Sequence, residues 1–457
     1  MSHTPRTDGL AAPEDSDAAV ERSTAPAVGE TVVVDVGDPV AGGQCIARLD
    51  GRVVFVRDGI PGERVTVRIT GAGKRGAFLR GDVVEVETPS EHRVEPPCAL
   101  AYECGGCDWQ FVDLAFQRKM KAHVIADALR RTGGIESIAG QPLSEAVVVE
   151  EVVTEDIVTG DIVAGEVDAN AGGGTDGGGD GLHWRSRMRY AVDEDGNVGL
   201  RAARSHRIIP AADCPLAVHE IAAAVPRSVS LGGSVSLGER GDERDGARDA
   251  VIAVASNTGQ VKVVGPNADV IVTERVRDRT FEVAATGFWQ VHPQAPETLV
   301  GTVLDFAAPQ HGEKVLDLYS GVGLFAAFLA EAVGVTGRVD AVEGDKTASR
   351  LSRANLADLV WAHHHRAPVE RWLAGGHRSH ADIVVLDPPR SGAGRAVVTA
   401  AARRKPRSIV YVACDPVALA RDAKYLSALG YKLIRLRAFD LFPMTKHVEA
   451  VALFTRD

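Results

Sequence analysis

The sequence VLDLYSGVGLF, from Val315 to Phe325, decides the fold of this chain. The residues from Lys314 to Leu318 form an apolar run typical of a buried strand, and those from Leu324 to Ala332 have the pattern of a helix. Gly321 and Gly323 lie between them and permit a tight turn. A strand, a glycine turn and a helix in this order are typical of a nucleotide-cofactor site. The stretch therefore predicts a Rossmann-like α/β domain.

Two cofactors fit this glycine turn. Gly321, Gly323 and Ala326 match the dinucleotide pattern with alanine in third place, and Glu343 follows twenty residues after Gly323, so NAD is one alternative. Asp317 precedes the turn, where a carboxylate is unfavourable beside a pyrophosphate but complements the ammonium and sulfonium groups of S-adenosylmethionine. Glu343 would accept hydrogen bonds from both ribose hydroxyls. This charge argument favours S-adenosylmethionine.

A cysteine stands at the end of another predicted strand, in the sequence IVYVACDPVALA from Ile409 to Ala420. Free cysteines are often simply buried. Here a helix predicted from Val417 to Ser427 would place its amino end near the Cys414 thiol, where it favours the thiolate. The sequence VVLDPPR adds Asp387 at the end of a further strand of the same sheet. Cys414 is therefore a candidate nucleophile beside a cofactor site.

These motifs belong to a longer ordered series. It runs through FWQVHP (Phe288 to Pro293), DLYSGVGLF, Glu343, DPPR, VACDP and FPMTKHVEAV (Phe442 to Val451). In this order the motifs resemble the RNA uracil C5-methyltransferase family. From about Val28 onward the chain is most similar to the iron–sulfur branch that methylates 23S ribosomal RNA. The resemblance implies a class I methyltransferase domain, S-adenosyl-L-methionine as the methyl donor and RNA as the partner.

The resemblance also implies roles for particular residues. Cys414 would add to C6 of uracil and so make C5 nucleophilic, and Glu449 would then remove the C5 proton. The residues expected to bind S-adenosylmethionine are Gln290, Tyr319, Glu343 and Asp387. A thiol near its reference pKa of about 8.5 is little ionised at neutral pH, so nearby cations are expected. The candidates for these cations are His447, Arg421 and Lys446, although for each residue taken alone an exposed or helix-capping role is the commoner one.

Some positions depart from the family pattern. His292 stands where the family usually has asparagine, and Leu324 stands at a polar position of the glycine turn. Ala413 and Asp415 flank the cysteine in place of serine and asparagine. These substitutions remove particular hydrogen bonds but leave the thiol in place.

The other cysteines indicate a metal site. Cys98, Cys104 and Cys107 have the spacing C-x5-C-x2-C around a double glycine, which allows the backbone to wrap tightly. Spacing alone favours zinc. By resemblance, Cys214 is a distant fourth ligand, and the set of four would hold a 4Fe-4S cluster. The cluster would be structural or would position RNA, because uracil methylation requires no electron.

Composition predicts several domains in sequence. Residues 1–27 are acidic and rich in Ser, Pro and Ala, and we expect them to be disordered. Short alternating strands within 28–90 predict a small barrel, which by resemblance is an OB-like TRAM domain. A central α+β domain at 91–285 would bind RNA and hold the iron–sulfur site, with a bridging helix at 111–135. The methyltransferase domain would occupy 286–457.

The net charge of −11 is concentrated in two segments. Residues 1–30 carry −4 and residues 147–181, predicted as a flexible acidic insertion, carry −9, so the rest of the chain carries +2. Overall acidity therefore does not exclude RNA, and WRSRMRY (Trp184 to Tyr190) is compatible with phosphate binding. Since no targeting pattern or membrane segment is recognisable, we expect a cytoplasmic enzyme. No protein partner is implied.

Two alternatives stay open. A transfer-RNA uracil C5-methyltransferase would share the catalytic motifs, but such enzymes generally lack the barrel and the cluster cysteines, which favours ribosomal RNA. A non-catalytic RNA-binding or ribosome assembly factor would keep the fold without turnover. The presence of Cys414 and Glu449 argues against that second alternative.

Overall fold

The computed structural model describes residues 26–153, 179–229, 248–375 and 380–456. They form a closed barrel, a central sheet and a large mixed sheet. Nearly all of the predicted tail at 1–27 and most of the predicted insertion at 147–181 lie outside the described residues. Within the described ranges, no helix has the length and apolar character needed to span a membrane.

The first unit is a five-stranded closed barrel. Branched apolar residues alternate along its strands, so that one face of each strand is buried in the barrel core. The strand order is β1–β2–β3–β5–β4, in which β3 and β5 pair in parallel and the other neighbours are antiparallel. The strands are Thr31–Pro39 (β1), Cys45–Leu49 (β2), Arg52–Arg57 (β3), Arg64–Ala72 (β4) and Phe78–Thr88 (β5).

A helix, Leu114–Ala128 (α1), connects the barrel to the rest of the molecule. The Asp113 carboxylate caps its amino end by accepting a hydrogen bond from a backbone N–H of the first turn. The helix continues into a π turn at Leu129–Gly133. Met120 packs into the barrel core, whereas Ile125 packs into a core of the large sheet. Helix α1 therefore contacts both units.

Short elements follow α1: Ser137–Ile138 (β6), Gln141–Pro142 (β7), Leu143–Ala146 (α2) and Val149–Glu151 (β8). Strand β8 lies inside the segment predicted as an insertion, and the sequence interpretation did not anticipate it. It forms the edge of the large sheet because the buried Val147 and Val149 pack into the core of that sheet.

The central unit is an antiparallel sheet of order β11–β10–β9–β12–β13. Its elements are Arg187–Val192 (β9), Val198–Arg201 (β10), Ile208–Pro210 (β11), His219–Ala224 (α3), Arg248–Ala255 (β12) and Val261–Val264 (β13). A hairpin of Ile271–Val276 (β14) and Arg279–Ala284 (β15) follows. The hairpin buries Val272 and Phe281 in the same core as the large sheet.

The large sheet is an α/β sheet of order β18–β17–β16–β19–β20–β22–β21–β8. Its elements are Ala295–Ala307 (α4), Lys314–Leu318 (β16), Leu324–Val333 (α5), Arg338–Glu343 (β17), Lys346–Asn355 (α6), Ala362–Arg366 (β18), Val369–Ala374 (α7), Ile383–Leu386 (β19), Gly394–Ala402 (α8), Ser408–Ala413 (β20), Pro416–Ser427 (α9), Tyr431–Asp440 (β21) and Glu449–Arg456 (β22).

Strands β18 to β20 are parallel, and β22 runs antiparallel between β20 and β21. One apolar core, which includes α4 and α5, covers one face of the sheet, and a second, which includes α8 and α9, covers the other. The predicted α/β class is therefore confirmed. The carboxyl ends of the parallel strands meet at one edge, where ligands bind in open sheets of this kind.

Candidate active site

A cavity of about 1470 Å³ opens at the carboxyl ends of the parallel strands. It is lined by all the residues that sequence analysis selected for catalysis and cofactor binding: Gln290, Tyr319, Glu343, Asp387, Cys414 and Glu449. Tyr319, Asp387 and Cys414 directly follow strands β16, β19 and β20, and Glu343 ends β17. The parallel sheet therefore brings together side chains that are far apart in the sequence.

Strand pairing places Cys414 beside Glu449. Ala413 pairs with Ala450 in the antiparallel ladder of β20 and β22. Continuing that register by one residue sets Cys414 opposite Glu449 across the two strands. Because residues opposite each other in a ladder are near neighbours, the thiol and the carboxyl reach the same part of the cavity.

The thiol of Cys414 is protonated in this arrangement at neutral pH. Burial raises the pKa of Cys414 to about 12, and the carboxylates of Glu449 and Asp387 add to the increase. The guanidinium of Arg390 opposes it. The Cys414 thiol must therefore lose its proton as part of any reaction in which it acts as a nucleophile.

The cations expected to assist the thiol are placed differently from the prediction. Arg421 pairs with Asp422 at 2.8 Å, and Lys446 pairs with Asp108 at 3.0 Å. Burial lowers the pKa of His447 to about 4, so this imidazole is neutral at physiological pH. The prediction that these three side chains supply positive potential to the thiol is not supported by their positions.

Sequence analysis missed Arg390 as a functional residue. Its Nη2 atom lies 3.3 Å from Nε2 of the neutral His447, which accepts the hydrogen bond. Its charge lowers the pKa of both Cys414 and Glu449, against the effect of burial. The signal was present in the sequence, because Arg390 closes the Asp-Pro-Pro-Arg motif, three residues after Asp387.

A buried carboxylate fixes the loop that follows Arg390. Asp422 on α9 is wholly buried and accepts hydrogen bonds from the Tyr411 hydroxyl at 2.7 Å and the Ala393 N–H at 2.8 Å. A third bond comes from the Gly394 N–H at 3.1 Å. These bonds tie the beginning of α8 to α9 and so restrict the backbone next to Arg390.

Two acidic groups of the cavity resist ionisation. Burial, with help from the Glu343 carboxylate, raises the pKa of Asp387 to about 7. Burial and the neighbouring Asp387 also raise the pKa of Glu449 well above its usual range, while Arg390 opposes the increase. Carboxyl groups in such an environment are suited to holding and exchanging protons near neutral pH.

The glycine turn presents Glu343 to the cavity. The Gly321 N–H donates to Oε2 of Glu343 at 2.9 Å, and the Asp345 N–H donates to Oε1 at 2.7 Å. Gly321 has a φ of 55° and Gly323 a φ of 92°, a backbone region that favours glycine. Each carboxylate oxygen keeps a lone pair for a ligand hydroxyl. The backbone of the turn therefore holds the Glu343 carboxylate in place.

Asp317 does not face the cavity, so the prediction that its carboxylate complements the charges of S-adenosylmethionine was wrong for this residue. Asp317 lies wholly buried outside the cavity lining, and among the described residues neither of its carboxyl oxygens has a hydrogen-bond partner. Burial, together with the Asp387 carboxylate, raises its pKa to about 8. The acidic groups that actually face a ligand at the turn are Glu343, Asp345 and Asp387.

A second group of residues that line the cavity is basic and includes an aromatic side chain. Its arginines belong to the central sheet and the loops beside it: Arg185, Arg189, Arg201 and Arg204. Arg187, from the same predicted basic track, instead points away and pairs with the buried Glu274 at 3.3 Å. Phe288 lines the cavity with 76% of its surface exposed. The cavity thus has acidic residues that suit a cation and basic residues that suit a polyanion.

Two departures from the family pattern have structural explanations. His292 does not line the cavity; it is buried against Trp184, and its Nδ1 accepts a hydrogen bond from the Gln294 N–H at 3.2 Å. Leu324 does line the cavity and presents an apolar surface at the first residue of α5. The side chain of His292 is therefore unsuited to direct contact with a ligand in the cavity.

The four predicted metal ligands, Cys98, Cys104, Cys107 and Cys214, line a second cavity of about 510 Å³. Arg185 and Arg189 line both cavities and therefore lie between them. Burial raises the pKa of Cys104 and of Cys214, and backbone N–H groups oppose the increase: Gly106 donates to Sγ of Cys104 at 3.4 Å, and Leu216 and Ala217 act on Cys214. These bonds favour thiolates, as a metal site requires.

The cysteines are nevertheless not in a metal-binding arrangement. Across the described ranges, no three His, Cys, Asp or Glu side chains are placed so that they could hold a metal ion. The three cysteines at 98–107 lie on a segment outside the long strands and helices, and burial raises the pKa of Cys107 to about 12. Neutral thiols on such a segment have no attraction that would draw them together. The structure therefore shows a shared cavity, but no iron–sulfur site.

Known protein families match two parts of the chain. Residues 27–84 match the TRAM domain, and residues 377–457 match the tRNA (uracil-5-)-methyltransferase family. The first match covers most of the closed barrel, and the second contains Asp387, Cys414 and Glu449.

Relatives cover nearly the whole chain. An uncharacterized RNA methyltransferase of Streptomyces coelicolor is 38% identical over 93% of this chain and 93% of its own length. Another of Corynebacterium efficiens is 34% identical over 94% of this chain and 95% of its own.

A solved structure has the same fold. The tRNA (uracil-54, C5)-methyltransferase of Pyrococcus abyssi, in complex with S-adenosyl-L-homocysteine, is 21% identical with a TM-score of 0.62, covering 92% of this chain and 99% of that one. The structural similarity and the family matches agree with a class I methyltransferase fold for the α/β sheet described above. The chain therefore belongs to the RNA (uracil-5-)-methyltransferase family and is an S-adenosylmethionine-dependent RNA methyltransferase.

Proposed function

We propose that this enzyme methylates C5 of a uridine in 23S ribosomal RNA through a covalent adduct between Cys414 and C6 of the base. The observation that carries the proposal is the placement of Cys414 opposite Glu449 in one cavity that is lined by both carboxyl groups and arginines. A uracil that reaches this position must be unpaired or flipped out of its helix, because Cys414 is half-buried and Glu449 is buried within the cavity. Phe288, exposed at the cavity, offers a surface on which a base can stack.

The acidic residues of the cavity are assigned to the methyl donor. S-adenosylmethionine would supply an electrophilic methyl group. Glu343 would accept hydrogen bonds from the ribose hydroxyls, and Gln290, Tyr319 and Asp387 would hold the remainder of the donor. Carboxyl groups near the donor complement its positive charges, whereas a dinucleotide would bring phosphates to the same acidic residues. This distribution of charge supports S-adenosylmethionine over NAD more directly than Asp317 did.

Cys414 would begin the reaction. Its Sγ bonds to C6 as the S–H bond breaks and the thiol proton passes to solvent water, and the electron pair of the C5–C6 double bond moves onto C5 and O4. The resulting enolate makes C5 nucleophilic enough to accept the methyl group. Arg390, whose charge lowers the pKa of the Cys414 thiol, would stabilise the thiolate form.

Glu449 would complete the reaction. After methylation C5 carries both a methyl group and a proton, and the Glu449 carboxylate removes that proton. The electron pair of the C–H bond restores the C5–C6 double bond, and the C6–S bond breaks to release Cys414 as a thiolate. Glu449 must be ionised to take this proton, a form that the charge of Arg390 favours, and its raised pKa then makes the carboxylate a stronger base than a solvated glutamate.

Ribosomal RNA is the proposed substrate because the chain combines the barrel with four cysteines at one cavity. We further propose that these cysteines hold a 4Fe-4S cluster, with zinc as the alternative. The donor set of four thiols and the N–H groups directed at sulfur support a metal site. The group would have a structural role or position RNA, and a cytoplasmic location would give access to ribosomal RNA. A transfer RNA is the second candidate, supported by the description of the family matched at residues 377–457.

Nucleoside mass spectrometry tests the proposal. The enzyme is incubated with methyl-labelled donor and either 23S ribosomal RNA or transfer RNA, and the digested nucleosides are analysed. We expect labelled 5-methyluridine from ribosomal RNA, none with Cys414→Ala, and undiminished label with the control Cys45→Ala, whose thiol is buried in the barrel. Label from transfer RNA would replace the proposed substrate. Donor and RNA binding without labelled 5-methyluridine would favour a non-catalytic assembly factor.

A further inference from the structure

We propose that three residues outside the predicted methyltransferase domain position the loop that delivers the catalytic base. The loop is Leu441–Val448, called the catalytic loop below, which joins β21 to β22. The positioning residues, called the clamp, are Asp108, Gln117 and Lys121. The inference rests on the proposed role of Glu449, the first residue of β22.

Gln117 holds the middle of the catalytic loop. Its side chain is wholly buried, and its Oε1 accepts a hydrogen bond from the Met444 N–H at 2.8 Å. Its Nε2 donates to the carbonyl oxygens of Trp109 at 3.0 Å and Val112 at 2.8 Å. The amide of Gln117 therefore joins the catalytic loop to the segment that precedes α1.

The same segment holds the other side of the Met444 peptide unit. The Met444 carbonyl accepts hydrogen bonds from the N–H groups of Asp108 at 3.1 Å and Trp109 at 3.0 Å. Met444 has a φ of 65°, a left-handed conformation that is strained for a residue with a side chain. Such a conformation persists only where surrounding contacts enforce it. The bonds to Gln117, Asp108 and Trp109 are those contacts.

Asp108 also holds the end of the catalytic loop. Its carboxylate accepts hydrogen bonds from the Lys446 N–H at 3.2 Å and from Lys446 Nζ at 3.0 Å. The next residue, His447, contacts Arg390 beside Cys414. Asp108 directly follows Cys107, so the segment with the predicted metal ligands is continuous with the clamp.

Lys121 holds the beginning of the catalytic loop. Its ammonium group is buried, and it donates to Oδ1 of Asp440 at 2.5 Å and to the Phe442 carbonyl at 3.0 Å. Burial lowers the pKa of Lys121, whereas the charge of Asp440 opposes that decrease. A buried ion pair often stabilises a fold no better than apolar side chains of the same volume. Its geometric effect here is to fix where β21 ends and the catalytic loop begins.

The clamp matters for catalysis because the catalytic loop sets the register of β22. Successive side chains of a strand point to opposite faces, so a slip by one residue would turn Glu449 away from Cys414. Smaller shifts would lengthen the path from the Glu449 carboxylate to the C5 proton. A displacement of about 1 Å in an active site lowers rates by as much as about 10²-fold.

The test compares Gln117→Met and Lys121→Met with the control Lys119→Met. Lys119 lies on the same helix, between the two clamp residues, but its side chain is exposed. We expect the clamp variants to lower kcat by roughly 10- to 100-fold while the donor Kd and the RNA KM change less than about twofold. Because only proton removal is impaired, methylated RNA should accumulate in covalent complex with the protein. Denaturing gels with methyl-labelled donor measure this complex.

A second variant guards against simple unfolding. Lys121→Met leaves Asp440 buried without its partner, so the double variant Lys121→Met with Asp440→Leu removes both charges. A clamp variant with wild-type kcat would overturn the positioning role. So would variants that all lose both donor binding and the covalent complex, because such a loss indicates unfolding. Failure of the wild-type enzyme to form 5-methyluridine would instead overturn the proposed function, so the two failures are distinguishable.

Discussion

The catalytic cavity and the cysteine cavity are neighbours with different degrees of preorganisation. In the first, side chains from β16, β17, β19, β20 and β22 converge, and backbone hydrogen bonds fix the sheet that carries them. In the second, four cysteines reach one cavity without forming a metal-binding group within the described ranges. The difference shows that strand pairing brings the residues of the first cavity together, whereas the cysteines on irregular segments are not placed by such pairing.

The largest effect is expected from removing a cysteine of the second cavity, which leaves the catalytic cavity unchanged. Cys214→Ser should abolish bound iron and sulfide and lower the melting temperature strongly, since metal sites of this kind contribute on the order of 10 kcal/mol to folding. Metal analysis, visible absorption and thermal unfolding of anaerobically purified protein measure the effect. The control Cys45→Ser should retain the metal. Bound zinc in the wild-type protein would select the alternative metal, and the absence of any metal would refute the site.

The next effect concerns the preformed cavity. Glu449→Gln should lower turnover by about 10²–10⁴-fold, because the C5 proton then lacks its base. The donor Kd should remain within about twofold, since the sheet forms the cavity without this carboxylate. Rapid-quench measurement of 5-methyluridine, with isothermal titration of the donor, checks both. If the variant also loses donor binding, the sheet does not form the cavity independently of the Glu449 side chain.

The same comparison explains what the sequence could predict. Strand β16 was predicted with the bounds that the structure has, Lys314–Leu318, because an apolar run followed by a glycine turn has one stable arrangement in an α/β sheet. The positions of strand-end residues such as Asp387 and Cys414 could then be predicted, because each directly follows a strand of the same sheet. Parallel strands bring their carboxyl ends together irrespective of sequence separation.

Other features depend on tertiary environment and were not predictable from local patterns. Asp317 carries an acidic side chain next to the glycine turn, but only the fold reveals that it is buried with a raised pKa. Arg390 and not Lys446 acts on the thiol, because Asp108 engages the lysine. Strand β8 was missed because it is only three residues long, Val149–Glu151, and two of the three are glutamates at the start of an acidic segment.

A smaller effect on stability tests the burial of Asp317. Its pKa is about 8 in the folded protein and about 3.9 when unfolded. The folded state therefore keeps a proton that the unfolded state releases, so this contribution to stability is complete below about pH 4 and is lost as pH rises to about 8. Asp317→Asn should flatten the decline between pH 5 and pH 8, by about 1.4 kcal/mol per pH unit at most. Chemical denaturation at several pH values measures it; parallel declines in both proteins would argue against a buried, protonated Asp317.

The smallest effect concerns Tyr319, whose ring lines the cavity while its hydroxyl donates to Glu370 at the long distance of 3.5 Å. A well-formed hydrogen bond to a charged group contributes about 1.5–3 kcal/mol, and this one to the Glu370 carboxylate is weaker because it is long and exposed. Tyr319→Phe should therefore change the donor Kd by less than about tenfold, whereas Tyr319→Ala should weaken binding more because the ring itself is lost. Titration of both variants with the donor distinguishes the hydroxyl from the ring. Equal losses of donor affinity in the two variants would mean that the hydroxyl contact governs binding. The affinity would then depend on one long hydrogen bond and not on side chains that the sheet holds in place.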